Sequence, residues 1–221
     1  MNFNPAVFAL WVLPFLVAVV FHEWAHGYVA KRFGDDTASA LGRLSLNPLA
    51  HVDPIGTVAL PALLLMSGSP FMFGWAKPVP IDFSRLRSPR RDMILVALAG
   101  PGMNLLLAVA SAAALAVVTR SAAGAHEAAS GLRVAEPVAM MCTMSLQLNV
   151  VLAVFNLLPI PPLDGGRVAV GLLPYPLATR LARLEPYGFL IVMALLATHV
   201  IDSMIGPLIR AILHLLVGLF L

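Results

Sequence analysis

Cysteine is almost missing: Cys142 is the single one in 221 residues. No intrachain disulfide can form, and no cysteine cluster can hold a metal. Cys142 lies in an apolar run and reads as a small hydrophobe. Charge is scarce as well. Only 11% of the residues are charged, against about 25% in a soluble globular domain. A net charge of +3 is too small for a nucleic-acid footprint. The basic residues fall in loops between apolar runs, as the positive-inside bias requires. Met1-Asn2-Phe3-Asn4 lacks the basic start of a signal peptide, so the apolar stretch behind it reads as a retained first helix. No internal repeat or low-complexity tract stands out.

What is abundant is apolar. Hydrophobic residues make up 60% of the chain, and the mean hydropathy is +0.90. That composition predicts a polytopic membrane protein. The length suits one domain over 1–221, with a core over about 5–173 and closing helices over about 187–221. A membrane helix needs about 20 apolar residues. The apolar runs predict helices over Pro5–Arg32, 93–118, 137–158, 187–201 and 205–221, the last two divided by Asp202. Residues 174–186 read as a loop. Leu41, Arg43-Leu44 and Ser45-Leu46 alternate, a strand signal within 38–46. The run 55–73 is apolar but broken by Pro61 and by Ser67-Gly68-Ser69-Pro70. The expected fold is all-α and polytopic. It has about five to six membrane segments, with a short membrane-associated strand or re-entrant region after the first helix.

Charge favours a segment 55–73 that dips in and returns. Lys31 to Arg91 then places eight basic residues on one side, joined by Arg167, Arg180 and Arg183. The opposite loop keeps Arg120 and Arg133. A crossing spreads the positive charge more evenly, against the usual bias. A return also brings the basic end of the first helix to the same side as Asp164.

The chemistry begins at His22-Glu23-Trp24-Ala25-His26. Two histidines four apart share one helix face, and a carboxylate follows the first. This is the H-E-x-x-H pattern of two zinc ligands and a general base. Ionisable groups inside an apolar helix are costly and point to function. A catalytic zinc takes three protein ligands and leaves a position for water. Glu23 is placed to accept a proton from water that the metal acidifies. The third ligand must come from elsewhere. The other histidines are His51, His126, His199 and His214. Asp164 is the stronger candidate, a carboxylate in a Pro/Gly frame beside an apolar helix. It also fits a helix cap.

Other polar groups have plainer readings. Asn104 fits an interhelical bond with Gly100 permitting close packing, and Asn149 and Asn156 fit interhelical bonds. His51 and Asp53 fit either outer support of a metal site or a polar loop. His199, Asp202 and His214 read as interfacial. The cluster Arg85, Arg87, Arg90 and Arg91 reads as a contact for anionic headgroups. Trp11 and Trp75 fit interfacial anchors or packing.

The helix-borne HEWAH, Gly100-Pro101-Gly102-Met103-Asn104 and Asn156-Leu157-Leu158-Pro159-Ile160-Pro161-Pro162-Leu163-Asp164-Gly165-Gly166 resemble the site-2 protease family. Gly42-Arg43-Leu44-Ser45-Leu46-Asn47-Pro48 and Phe73-Gly74-Trp75-Ala76-Lys77-Pro78-Val79-Pro80 resemble its compact prokaryotic branch, without PDZ or CBS domains. The resemblance implies an intramembrane zinc metalloprotease of the HExxH type with one Zn2+ per chain. It implies His22, His26 and Asp164 as zinc ligands, Glu23 as the catalytic base and Asn104 as a substrate-binding residue. It also implies regulated proteolysis of transmembrane protein substrates within a lipid bilayer and no nucleic-acid partner. The expected location is the cell membrane, with the active site toward the cytoplasm. A transporter or metal carrier with buried His and carboxylate groups is the competing reading, and an inactive zinc-binding scaffold is a third.

Overall fold

In lipid a backbone must satisfy its own hydrogen bonds, so long apolar runs fold as helices. The computed structural model describes residues 5–67, 74–124, 129–198 and 200–221, whose regular structure is helical, with no strand among them. In chain order the helices are α1 (Pro5–Arg32), the single turn α2 (Thr37–Ala40), α3 (Leu60–Met66), α4 (Pro89–Gly124) and α5 (Ala129–Asn156). Then come α6 (Asp164–Leu172), α7 (Tyr175–Ala182), α8 (Gly188–Ala197) and α9 (Val200–Phe220).

Four of these are long and apolar enough to cross a membrane: α1, α4, α5 and α9. The expectation of five to six segments is too high for the described residues. α3 has 7 residues and α8 has 10, well short of the roughly 20 a span needs. The break between α8 and α9 falls before Val200 rather than at Asp202. That aspartate sits in the first turn of α9, where a carboxylate complements the helix dipole. Residues 174–186 are not simply a loop, because α7 forms there. Pro176 occupies its first turn, where the missing N–H is no loss.

α4 and α5 approach closely because Ala108 and Ala112 present no bulk, and they pack with Leu146, Val150 and Val154 of α5. Small residues at such seams let backbones come together where lipid provides no hydrophobic drive. Ile201, Ile205 and Leu216 of α9 and Val192 of α8 close the same core.

The excursion from α1 to α4 begins and ends in one place. The Arg87 N–H donates to the Phe33 carbonyl at 3.0 Å, and the Asp82 N–H donates to Asp35 Oδ2 at 2.8 Å. Arg85 pairs with Asp36 at 3.0 Å. The chain therefore leaves the basic end of α1 and returns to it. Within the excursion, Asp53 caps a π-helical turn (Pro54–Ala59) by accepting from the Ile55 and Gly56 N–H groups. The strand expected within 38–46 does not form. α2 occupies its start, and the N–H groups of Arg43 and Leu44 both turn back to the Ala38 carbonyl. Part of the run 55–73 (68–73), together with His126 and His199, lies outside the described residues.

Arg90 does not project freely toward headgroups. Its guanidinium donates to the Gly171 carbonyl at 2.9 Å and to the Leu173 carbonyl, so the start of α4 caps the end of α6. This clip holds the short helix whose first residue is Asp164.

Candidate metal centre

Spacing of four residues stacks His22 and His26 on adjacent turns of α1. Their Nε2 atoms lie 3.0 Å apart. Asp164 opens α6 and turns its side chain to the same point: Oδ2 is 3.2 Å from His22 Nε2 and 3.3 Å from His26 Nε2. All three side chains are buried. The helix-cap reading of Asp164 is not realised, because α6 has no side-chain cap bond at its start.

The Pro/Gly frame explains how Asp164 gets there. A Cβ at Gly165 would run into the Leu157 and Leu158 carbonyls, and one at Gly166 would run into Pro161 and Ile160. Two glycines let α6 fold back directly against the end of α5 and the proline-rich turn after it.

The donor set fits a metal ion. The far nitrogen of each imidazole is committed: His26 Nδ1 is 2.7 Å from the Val96 carbonyl, and His22 Nδ1 is 2.6 Å from Asn104 Oδ1. A carbonyl only accepts, so the neutral His26 ring carries its proton on Nδ1 and a lone pair on Nε2. His22 is arranged in the same way. Asp164 Oδ2 is buried and has no hydrogen-bond partner. Three lone-pair atoms facing one another in a buried space repel unless a cation lies among them. His22, His26 and Asp164 form a group that could hold a metal, and two imidazoles with a carboxylate match a catalytic zinc set with one position left open.

Space for the ion comes from Gly100 on α4. A Cβ there would approach His22 Nε2 to 2.6 Å and His26 Nε2 more closely still. Sequence reading took Gly100 as a packing residue. Its place opposite both imidazoles was not visible in one dimension, although the G-x-x-x-N run contains it.

Glu23 does not join the cluster. Its Oε2 accepts from the Val79 N–H at 2.8 Å, so the irregular segment 74–82 fixes the carboxylate. Asn104 is fully buried with its amide engaged on every side: Oδ1 at His22, and Nδ2 at Asn149 Oδ1 (2.8 Å) and the Ala18 carbonyl (3.3 Å). It has no free group for a substrate here.

The other candidates stay apart. Nε2 of His51 donates to the Ser45 carbonyl at 2.8 Å. Asn156 donates within its own helix to the Leu152 carbonyl, while Asn149 does bond across helices. His214 is absent from the cluster. Trp75 stacks over Gly56 and meets the Phe189 ring edge-on at 6.0 Å.

Comparison with known proteins agrees with this geometry. The model of peptidase family M50 matches residues 10–132 and 120–198. "Putative zinc metalloprotease YwhC" of Bacillus subtilis is 38% identical over 200 residues, covering 90% of this chain and 85% of that protein. "Putative zinc metalloprotease Rip2" of Mycolicibacterium smegmatis is 33% identical over 196 residues, covering 89% of this chain and 70% of that protein. No solved structure matches significantly. A multi-pass helical protein with two histidines and an aspartate converging on one buried point, the chain belongs to peptidase family M50, the site-2 proteases.

Proposed function

We propose that this chain is a zinc-dependent endopeptidase that cuts membrane-protein substrates in or near their transmembrane segments, in regulated intramembrane proteolysis. The observation that carries the reading is the unpartnered Asp164 Oδ2 set against two imidazole Nε2 atoms on a membrane-length helix. His26 lies six residues before Arg32, about 9 Å along the axis at 1.5 Å per residue. The site therefore sits inside the bilayer but near the basic end, which the positive-inside bias assigns to the cytoplasm of a cell membrane.

His22, His26 and Asp164 hold one zinc per chain. When bound, zinc supplies Lewis acidity that acidifies water and polarises the scissile carbonyl. Glu23 takes the proton from the attacking water and passes it to the departing amine. The Val79 N–H holds one oxygen of the Glu23 carboxylate and so limits its motion. Asn104 acts through His22 rather than on the substrate, because its amide is buried and fully engaged. The 54–66 stretch is too short to span, and in this reading it borders the place where a substrate helix must unwind.

The test is reconstitution with a model transmembrane substrate. Wild type loaded with zinc should cleave it, and a chelator should stop cleavage. Glu23→Gln should keep the metal and lose about 10²–10⁴-fold in rate. Wild-type cleavage by Glu23→Gln would overturn the role of Glu23, and metal-dependent flux without cleavage would favour a carrier.

A further inference from the structure

We propose that Asn149, on α5, sets which nitrogen of His22 carries the proton, although it never touches that ring. The inference rests on the zinc reading above and concerns how the ligand is prepared before metal arrives. Hydrogens follow here from partners that can only accept or only donate.

The direction of the chain is fixed from its far end. Asn149 Nδ2 lies 2.9 Å from the Ser145 carbonyl, which accepts only, so this atom is the NH2 group. Asn149 Oδ1 then faces Asn104 and accepts from its Nδ2 at 2.8 Å. The Ala18 carbonyl, 3.3 Å from the same Nδ2, agrees with that orientation. Asn104 Oδ1 is left facing His22 Nδ1 at 2.6 Å, which must donate. The lone pair of His22 is thereby on Nε2, toward Asp164.

Without this relay the metal-free site favours the opposite tautomer. A proton on His22 Nε2 satisfies the buried Asp164 Oδ2 at 3.2 Å, which otherwise has no donor. That proton would occupy the direction a metal must use. The relay gives the proton a better place on Nδ1. Asn149 and Asn104 are both fully buried between α1, α4 and α5. Buried amides in a membrane bundle are costly unless every group is satisfied. Asn149 is a positioning residue, and α5 reaches the site through it.

The experiment records 15N shifts of His22 in metal-free protein labelled at histidine, with zinc affinity measured by chelator competition. Wild type should show His22 protonated on Nδ1. Asn149→Leu should move the proton to Nε2 and weaken zinc binding about 10–100-fold, the usual cost of losing an outer partner. Asn149→Asp, of the same shape and with an oxygen still facing Asn104 Nδ2, should restore Nδ1–H. Ser145→Ala should change neither readout, because the backbone carbonyl remains. An Nε2 proton in the wild type, or Asn149→Leu with Nδ1–H and undiminished affinity, overturns the relay. The wild-type tautomer needs no variant, so it decides the matter even if Asn149→Leu does not fold. A wild type that takes no zinc but shows Nδ1–H would sink the zinc reading alone.

Discussion

Asp164 Oδ2 stands 3.2 Å from His22 Nε2, an aspartate at the first residue of a 9-residue helix against a histidine deep in a 28-residue one. Neither helix alone can hold a metal in a closed site. Their meeting depends on features outside the ligands: a glycine that leaves room, two glycines that let α6 fold back, and Arg90 clipping its far end.

Gly100→Ala should empty the centre while sparing the fold. The new methyl group would stand 2.6 Å from His22 Nε2 and closer to His26 Nε2. The rings must move apart, since real contacts of that kind are not tolerated in packed interiors. Zinc affinity should drop by more than about 100-fold, beyond the loss of one outer partner. Metal titration beside circular dichroism checks this, and full zinc loading with unchanged helicity would contradict it.

Gly165→Ala should act on Asp164 from behind. Its Cβ would press into the Leu157 carbonyl, which is backbone and cannot step aside. The cost in stability should be about 1–3 kcal/mol, typical of overpacking. Thermal unfolding in detergent measures the cost, and zinc affinity should fall with it.

Val79→Pro should separate metal binding from catalysis. It removes the N–H that holds Glu23 Oε2 at 2.8 Å, and a hydrogen bond to a charged group is worth about 1.5–3 kcal/mol. Turnover should fall about 10–100-fold on that basis, with zinc content unchanged. Loss of zinc instead would mean that the 74–82 segment supports the ligands rather than the base.

The parts of the site legible in sequence were those written in local spacing. His22, Glu23 and His26 declare themselves through the helical period, and Asp164 through its Pro/Gly frame. Asn149 was legible as an interhelical hydrogen-bonding residue, but its partner Asn104, and the place of Gly100 opposite both imidazoles, come only from the packing of α4 and α5 on α1. Charge favours a return of the excursion after α1; what the structure adds is that its two ends meet at the basic end of that helix. The alternation at 41–46 misled because it arises from a loop. Leu44 packs on Gly27 beside Val79, while Leu41 and Leu46 are exposed, with no neighbouring strand to pair. The loop read over 174–186 missed α7, whose first turn holds Pro176.

The account turns on joint possession of one ion by α1 and α6, and zinc stoichiometry of wild type beside Asp164→Ala tests it most directly. Wild type should bind a single zinc per chain, and Asp164→Ala should bind it far more weakly while retaining its helices. A wild type that stays metal-free after reconstitution, or an Asp164→Ala protein that holds zinc as firmly, would contradict it.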